Sequence, residues 1–136
     1  MIDSRSCLTA ALSALAMALL LACGGPQSAP GHASPSAADR AEADSLFATR
    51  CASCHGPNGE GNGPAAAGLD PKPRNYHDLT WQTATTDAEI EKAILDGGEA
   101  VGKSPAMAPN PDLQSKPGVV AALREKIRSF GQVREK

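Results

Sequence analysis

Two cysteines separated by two residues and followed at once by a histidine, Cys51-Ala52-Ser53-Cys54-His55, constrain this chain more than any other stretch. On a helix, positions i and i+3 face one side and i+4 joins them. One turn therefore presents two thiols and an imidazole together. The chain has 4 cysteines, and the other two, Cys7 and Cys23, lie in and at the end of an apolar N-terminal run. An even count in an exported chain first suggests disulfides. The positions argue otherwise, because only Cys51 and Cys54 fall within the segment that carries folding patterns.

C-x-x-C-H is the attachment pattern of a c-type haem. Each thiol forms a thioether to one porphyrin vinyl group, and His55 reaches the iron held between them. The covalent bonds keep the group in a domain that would otherwise lose it. The competing readings are a redox dithiol, which needs a βαβ setting, and half of a structural zinc site, which needs a second ligand pair. The folded segment supplies neither. Aromatic residues make up only 3% of the chain, so few large side chains are available to fill a core, and a bulky apolar cofactor would occupy that interior.

With 136 residues the chain is expected to form one folded domain, and its net charge of −2 gives no basis for binding nucleic acid. Residues 1–22 read as an export signal. Arg5 and the amino terminus form a small positive head, followed by an Ala- and Leu-rich run that is short for a membrane span. The alternative is a retained membrane helix. The run ends Leu20-Leu21-Ala22-Cys23-Gly24, which resembles a bacterial lipoprotein box, in which Cys23 is acylated and becomes the first residue. Several acyl chains on one residue anchor stably where one alone does not. The alternative is an unlipidated Cys23 in a soluble exported protein. Residues 23–38, rich in Gly, Pro, Ser and Ala, read as a flexible tether or plain spacer.

Residues 39–136 carry the folding signals, and no internal repeat appears among them. Ala43, Phe47, Cys51 and Cys54 share one helical face, predicting a helix over 39–54. Thr86 with Glu89 forms a capping box, Ile90, Ala93 and Ile94 follow as an apolar stripe, and Gly97-Gly98 supplies the stop. Pro117 suits a first helical position, and Val120, Leu123, Ile127 and Phe130 line one face after it. No stretch alternates as a strand does, so the class is all-α. The connections are long and rich in Gly and Pro, which is acceptable when loops wrap a cofactor.

These features together resemble the monohaem cytochrome c family with His/Met ligation. Leu46-Phe47 before Cys51-Ala52-Ser53-Cys54-His55-Gly56 matches the family's first helix, Gly63-Pro64 and Leu69 its Gly-Pro segment, Asp87 to Gly98 its third helix, and Val119 to Phe130 its last. Only C-x-x-C-H is highly specific. The resemblance implies three or more helices with long loops around one covalently bound haem c. It also implies that the Pro64 carbonyl accepts the second imidazole N–H of His55. One departure is Lys126, which falls where the family often has an aromatic residue packed on the first helix. Phe130 or Ile127 is the substitute for that contact.

Beyond the export segment the chain has one methionine, Met107, in Lys103-Ser104-Pro105-Ala106-Met107-Ala108-Pro109. The family places its sixth ligand in such a loop, where a thioether sulfur favours Fe(II). The plain alternative is a methionine filling a core gap. The rival ligand is His77, for which a surface position beside Asp78 is the bland reading; His32 lies in the tether. Arg74, Tyr76 and Trp81 are candidates for the haem propionates, against surface positions for the first two and simple edge packing for Trp81.

With His55 and Met107 both on the iron, no position stays open for oxygen or peroxide. The expectation is an electron carrier and no enzyme, exported to the periplasmic side of a bacterial envelope and held to a membrane through Cys23. Gly24 tilts this toward the outer membrane. Its partners would be redox proteins, and the carrier itself a monomer. Two alternatives stay open: a haem enzyme or gas sensor with an open distal side, and a fixed cytochrome subunit of a larger oxidoreductase complex. Lys103 is either a steering charge for an acidic partner or a solvated lysine.

Overall fold

The computed structural model describes residues 34–132. The expected export signal, Cys23 and most of the tether lie outside these residues. Among the described residues there are five α-helices: α1 Ala37–Leu46, α2 Ala52–His55, α3 Leu79–Ala84, α4 Asp87–Asp96 and α5 Pro117–Phe130. Short 3₁₀ turns at Pro64–Ala66, Glu99–Val101 and Pro111–Leu113 punctuate the loops. No strand occurs among the described residues, so the all-α expectation holds.

The first helix starts inside the expected tether. Ser36 caps α1, accepting from the Asp39 N–H while Asp39 accepts from the Ser36 N–H at 2.8 Å. This reciprocal box satisfies two orphan donors and moves the helix start ahead of Asp39. The Pro35 carbonyl then receives the Arg40 guanidinium at 2.6 Å. The capping box at Thr86 and Glu89 forms as the sequence predicts, and α4 ends at Gly97 with φ +83°.

The first helix is not one continuous α-helix. A π-helical turn, Phe47–Cys51, separates α1 from α2, with the Ala52 N–H reaching back to the Phe47 carbonyl. One inserted residue rotates the next turn by about 100° relative to an unbroken helix. Ala43 and Phe47 stay in the core, but Cys51 and Cys54 emerge half-buried at its margin. The single continuous helix expected over 39–54 is therefore corrected to two helices joined by a π turn.

The core lies where α1 and α5 cross and where α4 packs on α5. It contains Ala43, Phe47, Ile90, Ile94, Leu113, Val119, Val120, Leu123 and Ile127. The last helix buries Val120, Leu123 and Ile127 of the stripe the sequence marked, together with Val119, Ala121 and Ala122, and its fourth member, Phe130, is half-buried against the core. At the crossing, Phe130 meets Phe47 with ring centroids 5.4 Å apart. Lys126 runs over both rings, its Nζ 5.3 Å from the Phe47 centroid, and pairs with Asp44 at 2.7 Å. The crossing therefore keeps an aromatic contact through Phe130, and the cation lies on its outer face.

Arginines that the sequence pattern does not mark fasten α5 to the other helices. Arg124 and Arg128 both hold Asp87 at the start of α4, Arg128 through its Nε at 2.9 Å. Arg128 also donates to the Gln82 carbonyl at 2.6 Å and the Thr85 carbonyl at 2.7 Å, closing the turn between α3 and α4.

Three carboxylates at helix starts are held in their charged form. Hydrogen bonds from Ser36 lower the Asp39 pKa, and those from Thr86 lower that of Glu89. Partial burial pushes Asp87 up, but the Arg128 and Arg124 contacts outweigh it and leave its pKa lowered. Each folded-state pKa lies below the unfolded value, so the stabilisation is complete above about pH 4 and is lost as pH falls through the lowered values. In acid titrations of the haem-loaded protein followed by far-UV circular dichroism, Asp87→Asn should be less stable than wild type at neutral pH. That gap should close as the pH drops below about 4. A gap that persists unchanged into acid would contradict this origin.

Candidate functional site

The C-x-x-C-H turn sits at the end of the first helical run, and backbone contacts fix its exit. The Gly61 N–H donates to the His55 carbonyl at 2.7 Å, and the Gly63 N–H to the Cys54 carbonyl at 3.1 Å. A Cβ at Gly63 would collide with the Ser53 and Ala52 carbonyls. Glycine before Pro64 is therefore required by the close approach of this stretch of loop to the turn.

His55 is the one buried polar or charged residue in the described core, 9% exposed. Its Nδ1 lies 3.2 Å from the Arg74 carbonyl. A carbonyl only accepts, so Nδ1 carries the proton and Nε2 presents its lone pair. Burial lowers the His55 pKa, against the opposing pull of the Arg74 carbonyl, and so favours the neutral ring that binds metals. The orienting carbonyl is thus Arg74's. Pro64, expected in that role, is exposed and opens the 3₁₀ turn Pro64–Ala66.

Cys51 and Cys54 are free thiols. Burial pushes the Cys51 thiol pKa up; the neighbouring Arg50 opposes that and Cys54 adds to it. No group of three or more His, Cys, Asp and Glu is arranged to hold a metal ion among the described residues, which leaves the zinc reading without its second ligand pair. Two free thiols on one turn and a neutral imidazole tied at Nδ1 are the donor set a covalent haem needs. Cys51 and Cys54 would hold the group and His55 its iron; when bound, it supplies an Fe(III)/Fe(II) couple.

Tyr76 is only 5% exposed, and its ring stacks on His55 with centroids 4.6 Å apart and planes at 12°. Burial, with Cys51 nearby, raises its pKa and keeps the phenol neutral. It is a core residue backing the imidazole, which corrects the surface reading. Phe130 lies behind it at 6.1 Å, so an aromatic column runs from His55 to the α1–α5 crossing. Trp81 is half-buried, its ring 5.5 Å from that of Tyr76 and tilted 35° to it. The Arg74 guanidinium pairs with Asp78 at 3.3 Å and lies 5.9 Å from the Trp81 ring centroid.

Met107 is held by the paired glycines. The Gly98 N–H donates to the Met107 carbonyl at 2.9 Å, and the Met107 N–H to the Ser104 carbonyl at 3.2 Å. A Cβ on Gly97 would stand 2.7 Å from the Met107 carbonyl, and one on Gly98 would strike the Ser104 carbonyl. The glycine pair thus ends α4 and also admits this backbone. Asn110, which the sequence pattern does not single out, fixes the far end. Its N–H donates to the Leu95 carbonyl at 2.9 Å and its Nδ2 to the Ile94 carbonyl at 2.8 Å. His77 is exposed, with Nε2 donating to the Asn58 carbonyl at 2.8 Å.

The chain belongs to the cytochrome c family, whose model, described as Cytochrome c, matches residues 40–124. Covalently bound haem c and a haem-based electron-transfer role come with that membership. The solved structures it resembles include one titled "KustC0563 c-type cytochrome". That chain is 26% identical, with 66% of this chain and 98% of the other covered and a TM-score of 0.48. No curated protein matches the chain.

Proposed function

We propose that the protein is an electron carrier of the cell envelope, with one haem iron held between His55 and Met107. The observation that carries this reading is the buried, neutral His55, tied at Nδ1 to the Arg74 carbonyl beside two free thiols. Met107 is the sole methionine beyond the export segment, and its backbone is bound to Gly98. His77, the rival ligand, spends its Nε2 on the Asn58 carbonyl.

Two protein ligands close the iron to small molecules and keep its coordination the same in both oxidation states. Electron exchange with a docked redox protein then needs little rearrangement, which favours a carrier over an enzyme. Export, acylation of Cys23 and a tether ahead of α1 would confine the carrier to a membrane surface while letting the domain reach its partners. Among the described residues no helix is long and apolar enough to cross a membrane. On this reading the attachment lies in Cys23.

Met107→Ala should abolish the far-red methionine–iron band of the oxidised protein, while His77→Ala should keep it. A band that survives Met107→Ala and vanishes with His77→Ala would reassign the ligand. Cys23→Ser should move the haem-loaded protein from the membrane pellet to the soluble fraction of the producing cells. Equal distribution of the two proteins would rule out the anchor.

A further inference from the structure

Arg50 stands immediately before Cys51, the first haem cysteine. Its Nη1 lies 3.0 and 2.9 Å from the two Asp112 carboxylate oxygens and 3.4 Å from the Asn110 Oδ1. Both partners belong to the segment that follows Met107. One side chain on the turn bearing two thioether cysteines and His55 therefore grips the loop bearing Met107.

We infer that Arg50 is a positioning residue for the sixth ligand: by clasping Asp112 and Asn110 it holds the Met107 segment closed over the haem turn. This rests on the reading of Met107 as ligand. The gripped segment is short and stiff. Met107 is fixed by Gly98, Asn110 by Leu95 and Ile94, and between them lies Pro109, with Pro111 just beyond. Prolines leave few backbone torsions to absorb a displacement, so a shift at Asn110 is passed to Met107. Asp112 sits in the turn Pro111–Leu113, whose Leu113 is 2% exposed and anchors that turn in the core. The other ties on the segment run to α4, to the loop that follows α4, or to the core. The Arg50 tie runs to the opposite ligand-bearing segment, so it opposes separation of the two ligands.

The clasp is solvent-facing, with the side chains 45% and 51% exposed, so its strength is modest and sensitive to salt. Cyanide reports on it, because cyanide reaches the oxidised iron only after the sixth ligand has left. Arg50→Ala in the haem-loaded protein should bind cyanide about fivefold more tightly at low ionic strength. Raising the salt should bring wild type toward the variant and leave the variant unmoved. Asp112→Ala, which leaves the cysteine turn untouched, should match it, and the double variant should go no further than either single one. Arg50→Lys should restore part of the wild-type resistance.

Cyanide affinity unchanged in both single variants, whether or not thermal stability falls, overturns the clasp as a positioning device. Additive effects in the double variant overturn the pairing. Met107→Ala is the reference for the underlying reading. If it keeps the far-red band, the ligand assignment fails and this inference with it. If it loses the band while Arg50→Ala leaves cyanide binding unchanged, the clasp alone fails.

Discussion

Everything in this domain is arranged around one turn of helix that must face two thiols and a neutral imidazole in the same direction. The imidazole is the demanding member. It is buried, its Nδ1 is committed to the Arg74 carbonyl, and a tyrosine ring lies flat against it. Behind Tyr76 stand Phe130 and Phe47, which are also the contact between the first and last helices. The packing that closes the helix pair therefore also sets the plane of the ligand. A π-helical turn joins the two jobs in one chain segment: Phe47 at its start is buried in the core, and Cys51 at its end packs half-buried against that core.

Local chemistry in the sequence was enough to place α4 and α5. The Thr86–Glu89 box, the Gly97 stop, Pro117 at a first helical position and the stripe of α5 are all decided within a few residues of chain. The C-x-x-C-H turn is local in the same sense. Features that depend on distant chain were not legible. The π turn leaves the i, i+4, i+8 spacing of apolar residues unchanged, so periodicity misses it. Helix α3 has six residues, too few for a period, although Asp78 as its N-cap, accepting from Trp81 at 3.1 Å, is a readable sign.

The haem-facing details divide along the same line. The carbonyl that orients His55 comes from Arg74 rather than Pro64, because the loop after the 3₁₀ turn returns across the imidazole. Backbone carbonyls carry no side-chain signal, so nothing in the sequence distinguishes one from the other. Tyr76 reads as a propionate partner or a surface phenol, and its burial against His55 appears only once its neighbours are known. Asn110, Asp112 and Arg50 are ordinary polar residues in a loop and beside a cysteine; only the fold brings them within hydrogen-bonding distance. The paired glycines read as a helix stop, and the fold adds a second requirement, space for the Met107 backbone.

The central claim is that the iron is closed on both sides by ligands from this chain. Exposure of the dithionite-reduced, haem-loaded protein to carbon monoxide, followed by its visible spectrum, tests it most directly. The account predicts a low-spin reduced spectrum that carbon monoxide leaves unchanged. Immediate formation of a carbon monoxide adduct would show an open distal side. That result would replace the carrier with a haem enzyme or gas sensor.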